Sequence, residues 1–274
     1  MLHERAAQAA EGPPGASASP SAGRLKQSVC RWCFGAMPLD DLCREAAAMG
    51  LASVELLGPE EWEAPKRHGL VCALATNVKS NPIGSGFNRT PNHDAIVREL
   101  EERLPLVAAA GVPQQIVFSG NRGGVSDAEG LKACAAGLKR ITPLAERLGV
   151  TLVMELLNSK VDHRDYQCDR TAWGVALVEE VGSPRFKLLY DIYHMQIMEG
   201  DVIRTITDHI KHIGHFHTAG VPGRHELDGK QELHYPAICR AIADTGFAGF
   251  LAQEFIPSRT PMVSLREAVE VCRV

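Results

Sequence analysis

The chain has 274 residues, 45% of them hydrophobic and 23% charged, enough to bury one large core. Its formal net charge of −4 provides no general basic surface to draw it to nucleic acid or an anionic membrane. No apolar run approaches the roughly 18 residues that a bilayer span requires.

Residues 1–27, "MLHERAAQAAEGPPGASASPSAGRLKQ", are rich in Ala, Ser, Pro and Gly and lack the apolar centre of a secretory signal. They are expected to form a disordered leader, with one folded domain over 28–274. Without an export signal the expected location is cytoplasmic. The eight cysteines (Cys30, Cys33, Cys43, Cys72, Cys134, Cys168, Cys239 and Cys272) are then expected to be reduced.

From Ser28 onward, short apolar runs alternate with amphipathic ones. "SVCRWCF" is the first strand-like run. Its Cys30 and Cys33 resemble a redox or zinc pair, but residues three apart on a strand face opposite sides, so no function is attached to them. "LDDLCREAAAMG" follows as a helix ending at Gly50. "ASVELLG" is the second strand, and "PEEWEAPKRHG" after it is poor helix. "LVCALAT" is the third strand. The long connection "NVKSNPIGSGFNRTPN", Asn77 to Asn92, is of a length that often carries function. The helix "HDAIVRELEERLPLVAAAG" precedes strand four, "QQIVFSG". "SDAEGLKACAAGLKRITPLAERLG" then opens with Ser126 and Glu129 spaced as a capping box. Strand five is "TLVMELL", strand six "FKLLYD", strand seven "HIGHFHTA" and strand eight "GFLAQEF". The helices "TAWGVALVEEVG", "DVIRTITDHIKH" and "YPAICRAIADTG" separate them, and a last helix follows Pro261. Eight strand–helix units in this length predict a single (β/α)8 TIM barrel of the α/β class. No Gly-rich phosphate loop follows the first strand, which weakens an open doubly wound sheet.

Catalytic groups of such barrels sit at the C-terminal strand ends. On strands five to eight these ends carry Glu155, Asp191, His217 and Glu254. A lone carboxylate there commonly caps the next helix or meets a basic side chain. Unpaired carboxylates crowded at one mouth repel and call for a cation, and three of them with one imidazole make its ligand set. That hard, oxygen-rich set suits Mn²⁺ or Mg²⁺, and Zn²⁺ or Co²⁺ less specifically. His215 shares the strand face of His217 one pleat deeper and reads as a core or supporting residue, not a ligand. His209 and His212 read as surface, and His225 and His234 as loop residues with no assigned role. His194, three residues after Asp191, falls near the proposed ion.

"MELLN", "DIYHMQIMEGD", "HFHTAGVPGRHE" and "AQEFIPSR" together resemble the hydroxypyruvate isomerase branch of the xylose-isomerase-like barrels. "SGNRGG", with Asn121 and Arg122, also fits. The resemblance runs from Ser28 and is tightest from Thr151 to Arg259. It implies one divalent ion held by Glu155, Asp191, His217 and Glu254, with the two glutamates as the catalytic acid–base pair. The expected substrate is a small hydroxy-keto acid, hydroxypyruvate first, converted to tartronate semialdehyde. The ion would polarise the carbonyl, one glutamate would take the α-proton, and a proton would return to the neighbouring carbon. His194 could hydrogen-bond the developing oxyanion. Arg224 is the first candidate for the substrate carboxylate, with Arg122 and Lys79 as alternatives; each could equally be a solvated loop charge.

Two features depart from this pattern. Hydroxypyruvate isomerases often carry Gln where this chain has His217, and His there is usual in ketose 3-epimerases. Those epimerases carry a second Glu six residues after the first; this chain has Val161 there, expected to touch the substrate, and an apolar side chain argues against a sugar, while His217 argues for one. A ketose 3-epimerase or another sugar isomerase is therefore the alternative. A multi-zinc nuclease is disfavoured by the acidic balance and the single four-ligand set, and a non-catalytic sugar binder by the retained glutamates. The partner is a small molecule, with neither nucleic acid nor membrane expected; a homo-oligomer is compatible with the sequence.

Overall fold

The computed structural model describes residues 23–274. The expected leader lies outside the described residues over 1–22, and its last two residues, Lys26 and Gln27, instead open the first strand. The strands are β1 (Lys26–Cys30), β2 (Ser53–Glu55), β3 (Leu74–Ala75), β4 (Gln114–Val117), β5 (Thr151–Glu155), β6 (Phe186–Asp191), β7 (Ile213–Thr218) and β8 (Phe250–Gln253). The helices are α1 (Leu39–Ala48), α2 (Glu63–Lys66), α3 (His93–Ala109), α4 (Asp127–Leu148), α5 (Thr171–Val181), α6 (Ile192–Met198), α7 (Val202–His209), α8 (Tyr235–Asp244) and α9 (Pro261–Val271). All ladder pairs are parallel, in the order β2-β1-β8-β7-β6-β5-β4-β3. The parallel bridges Ser53–Val71 and Leu57–Ala75 join the two ends of that order. The result is the (β/α)8 barrel that the alternation predicts. Among the described residues no helix is long and apolar enough to cross a membrane.

The barrel forms because every strand is buried on both faces, its apolar side chains closing against the helices outside and the barrel axis inside. The longest helix, α4, starts as expected: Ser126 Oγ accepts from Glu129 N while a Glu129 carboxylate oxygen accepts from Ser126 N. It stops at Gly149, whose φ of 71° an L side chain rarely adopts.

Several local expectations are corrected. The first strand ends at Cys30, and Arg31–Phe34 form a short 3-10 turn that carries Trp32 to the barrel mouth. "PEEWEAPKRHG" is the poor helix expected, with a single turn, α2. The stretch expected as a single helix over 201–212 divides into α7 and a 3-10 turn, Ile210–His212. That turn buries His212, whose Nε2 lies 3.3 Å from Glu179, so this histidine is not a surface residue. His209 is half-buried, and His225 and His234 are exposed.

Strand β7 pairs irregularly with β6: Leu188 aligns with Ile213 but Leu189 aligns with His215. The extra residue is Gly214. A Cβ there would lie 2.9 Å from Lys187 Cβ, so only glycine allows this approach. Beyond the irregularity, Asp191 aligns with His217, which sets two of the expected ligands side by side.

Candidate active site

Each of the four strand-end residues is buried, although all are polar or charged. Glu155 and Asp191 are the last residues of β5 and β6, His217 lies one residue before the end of β7, and Glu254 directly follows β8. One ligand atom from each lies within 4.8 Å of the others. His217 Nδ1 is the hub, 2.6 Å from Glu254 Oε2 and 3.2 Å from Glu155 Oε1. Burial raises the carboxyl of Glu155, and the charge of Glu254 raises it further. Burial also opposes charge on Glu254, but His217 and Arg224 outweigh it and hold this carboxyl low. Three buried carboxylates and one imidazole, with donor atoms this close, make a set that fits a hard divalent cation.

A cationic side chain also reaches the cluster. Arg224 Nη2 donates to Asp191 Oδ2 at 2.9 Å and to Glu254 Oε2. Its guanidinium carbon lies 4.9 Å from the ring centre of Tyr193 and 5.8 Å from that of Trp32. The "VPGR" loop fixes this placement. It contains a cis Val221–Pro222 bond, and Arg224 itself adopts a left-handed backbone with φ of 60°. Arg224 N donates to Gly220 O, and Ile256 N donates to Arg224 O. A non-glycine residue held at positive φ by bonds on both sides is a strained position of the kind found at functional sites.

His194 lies beside this group. Asp191 caps α6 by accepting from His194 N, which places the imidazole over the cluster. His194 Nε2 is 2.9 Å from Arg224 Nη1 and Nδ1 is 2.6 Å from Asn158 Nδ2. Burial, and then the Arg224 charge, hold the His194 pKa well below its ordinary value, so the ring is neutral. Above these residues opens a cavity of about 470 Å³, whose wall includes Trp32, Asn77, Ile83, Phe118, Asp162 and His163. That size suits a small polar molecule. The long connection after β3 thus contributes Asn77 and Ile83 to the wall.

The structure therefore brings together Glu155, Asp191, His217, Glu254, His194 and Arg224. It does not bring Arg122 or Lys79 to the cavity. Arg122 is held by Asp169 at 2.8 Å, by Asp127 at 3.2 Å and by the carbonyl of Tyr166, so its fork is occupied in tying loops together. Lys79 is exposed and outside the lining residues. Val161 is also displaced: it is 62% exposed, so it supplies no contact to the cavity. Asn158 Oδ1 accepts from both Val161 N and Asp162 N, a turn that rolls Val161 outward and aims Asp162 inward. Asp162 Oδ2 accepts from Tyr193 Oη and Asn158 Nδ2. His215 is fully buried beneath the cluster, with its ring nitrogens facing Gln114 Oε1 and Glu55 Oε1.

Trp32, Asp162 and Glu55 escaped the sequence reading. Trp32 Nε1 donates to Glu254 Oε1 at 2.7 Å. Glu55 ends β2 as Glu155 ends β5, and the strand-end rule applied to "SVELL" would have found it.

The family model described as xylose isomerase-like TIM barrel matches residues 43–273. The chain belongs to this family. Among its relatives, the 2-oxo-tetronate isomerase of Cupriavidus necator is 31% identical over 224 residues, covering 77% of this chain and 85% of the relative. The hydroxypyruvate isomerase of Escherichia coli is 33% identical over 114 residues, covering 40% of this chain and 44% of the relative. A solved structure described as an AP endonuclease, family 2, from Brucella melitensis superposes with a TM-score of 0.78 at 23% identity. It covers 88% of this chain and 97% of that one, a likeness of fold. The two relatives are isomerases by name, in agreement with the enzyme class read from the sequence, so this xylose isomerase-like barrel is an isomerase.

Proposed function

We propose that this chain isomerises a small 2-keto-3-hydroxy acid, with hydroxypyruvate and its one-carbon-longer homologue as the first candidates. The observation that carries the reading is the convergence of Glu155 and Glu254 on one point beneath a cavity that also presents the Arg224 guanidinium. The names of the two relatives support the same substrate class.

Glu155, Asp191, His217 and Glu254 would hold a divalent cation. When bound, it supplies Lewis-acid polarisation of the substrate carbonyl, and Mn²⁺ or Mg²⁺ suits the donor set best. The remaining chemistry belongs to the chain. One glutamate takes a proton from C3 of hydroxypyruvate, breaking the C3–H bond and leaving an enediolate. Transfer of the C3 hydroxyl proton to O2 and delivery of a proton to C2 then give tartronate semialdehyde, with no external oxidant or reductant. His194 Nε2 now faces an Arg224 N–H, so His194 offers a hydrogen bond to the oxygen on which charge develops only once that guanidinium turns to the substrate. Arg224 offers a fork to the substrate carboxylate, which on entry competes with Asp191 and Glu254 for it. Trp32 and Tyr193 flank that fork and keep it at the mouth.

A ketose epimerase is the second reading, and Asp162 favours it. Val161 had argued against sugars, but the inward side chain is the carboxylate of Asp162, which can accept from a substrate hydroxyl. Turnover on hydroxypyruvate, 2-oxo-tetronate, fructose, tagatose and psicose, measured on one Mn²⁺-loaded preparation, separates the two. The keto acids are expected to lead in kcat/KM; a clear lead for any ketohexose would replace the first reading with the second.

A further inference from the structure

Glu55 plays no part in the chemistry above. Its residue is completely buried and does not line the cavity, so it touches no substrate. A buried carboxylate is costly unless its partners satisfy it. Those partners are specific. Glu55 Oε1 lies 3.0 Å from His217 Nε2 and 2.8 Å from His215 Nε2, with Cys30 Sγ at 3.8 Å. Its Oε2 has no hydrogen-bond partner. The His217 ring is therefore clamped: Nε2 faces Glu55 on one edge, and Nδ1 faces Glu254 and Glu155 on the other.

The consequence is one of tautomer and rotamer. An ionised carboxylate only accepts, so the hydrogen between Glu55 and His217 sits on Nε2. The same rule puts a hydrogen on Nδ1, which faces Glu254 Oε2 at 2.6 Å; a cation in the cluster would displace that proton and take the Nδ1 lone pair, while Nε2–H stays on Glu55. A half-turn of the ring about Cβ–Cγ would put carbons where both nitrogens now lie and lose the bond to Glu55. His215 shares the same carboxylate oxygen, with its Nε2 at 2.8 Å from Glu55 Oε1. Its Nδ1 is held by Gln114 Oε1 at 2.7 Å, and its ring stands edge-on to His217 at 5.2 Å and 86°.

We propose that Glu55 is a positioning residue for the cation site, holding the Nε2 proton of His217 so that Nδ1 is the ligand atom. The proposal rests on the cation-site reading given above. A ligand imidazole that donates its other N–H to a carboxylate is fixed in orientation and made more basic, and loss of such a partner typically weakens metal binding by about 10–100-fold.

The test uses ¹⁵N-histidine-labelled protein and Zn²⁺, which is diamagnetic. Two-bond ¹⁵N–¹H correlation of wild type, with His217 identified by its absence in His217→Gln, reports each ring nitrogen separately. The expected result is a Zn²⁺-dependent shift of Nδ1 while Nε2 stays protonated. Coordination through Nε2 overturns the proposal, and this arm needs no variant to fold at position 55. In parallel, Mn²⁺ affinity is measured by calorimetry for wild type and Glu55→Gln, with circular dichroism confirming the fold. A fall of about 10–100-fold is expected. Wild-type affinity in folded Glu55→Gln would overturn the positioning role and leave the cation site standing, whereas failure of wild type to bind Zn²⁺ or Mn²⁺ would overturn both.

Discussion

Glu254 Oε2 lies close to both His217 Nδ1 and the Arg224 guanidinium, while its Oε1 accepts a hydrogen bond from the Trp32 indole N–H. A carboxylate with so many partners has two candidate duties, ligand and proton carrier, and its replacement must separate them. Glu254→Gln keeps the shape. With Mn²⁺ content verified, exchange of the substrate α-proton with solvent is expected to fall by about 10²–10⁴. Near-wild-type exchange in the loaded variant would remove Glu254 from the proton path. His217→Ala is expected to lose bound divalent ion while His215→Ala keeps a measurable fraction, as elemental analysis of dialysed protein would show; full occupancy in His217→Ala contradicts the ligand set. Arg224→Lys keeps charge but not the two-pronged fork, so KM for hydroxypyruvate should rise at least tenfold. An unchanged KM would detach Arg224 from the substrate carboxylate. At this scale the sequence was informative where charge stood out against an apolar strand, as at Glu155, Asp191 and Glu254. It misled in loops. Whether Val161 or Asp162 faces inward depends on two bonds to Asn158 Oδ1, and no periodicity marks a turn of that kind.

At the scale of elements, helix punctuation was legible in the chain. Ser126, Glu129 and Gly149 bound α4 as their spacing predicts. Ser126→Ala should therefore cost about 1 kcal/mol of stability, read as a lower urea midpoint at unchanged slope. Less legible was Glu226, which follows the "VPGR" loop. Its carboxylate accepts from Ser258 N and Oγ, Arg259 N and Ser264 Oγ, so it ties that loop to the start of α9. None of these partners is near it in sequence, and only the closed barrel brings them together. Hydrogen bonds from Ser258 and Ser264 outweigh burial and lower its pKa from 4.5 to about 2. A carboxyl with a depressed folded pKa contributes stability that is complete above about 4.5. That contribution fades as the pH falls toward about 2, because the folded state must then be protonated against these bonds. Glu226→Gln should be less stable than wild type at neutral pH, with the gap in urea midpoint narrowing across that window. A constant gap would show that these bonds do not set the acid limb.

Over the whole molecule, the alternation of eight apolar runs with amphipathic segments specified parallel strands covered on both faces, and the missing Gly-rich loop after the first strand favoured a barrel over an open sheet. The evenness of the closure could not be seen. Strand β3 has two residues, and β2 meets it through isolated bridges and bonds such as Val54 N to Val71 O and Leu56 N to Leu74 O. Amides of residues 71–76 should exchange with deuterium faster than those of 186–191, which have named strands paired on both sides. Equal protection across the two peptides would argue against a weak seam. The three tryptophans sample this molecule at separate places. Trp62, in the connection from β2 to β3, is buried with its indole bonded to Leu57 O. Trp173 ties α5 to the start of α4 through Asp127 O. Trp32 alone among them has its indole on a carboxylate of the cluster and a guanidinium beside its ring. The barrel thus contains an intrinsic optical probe of its own mouth: emission should change when Mg²⁺ or a keto acid displaces those charges, and Trp32→Phe should abolish that change while leaving the other two indoles to report unfolding.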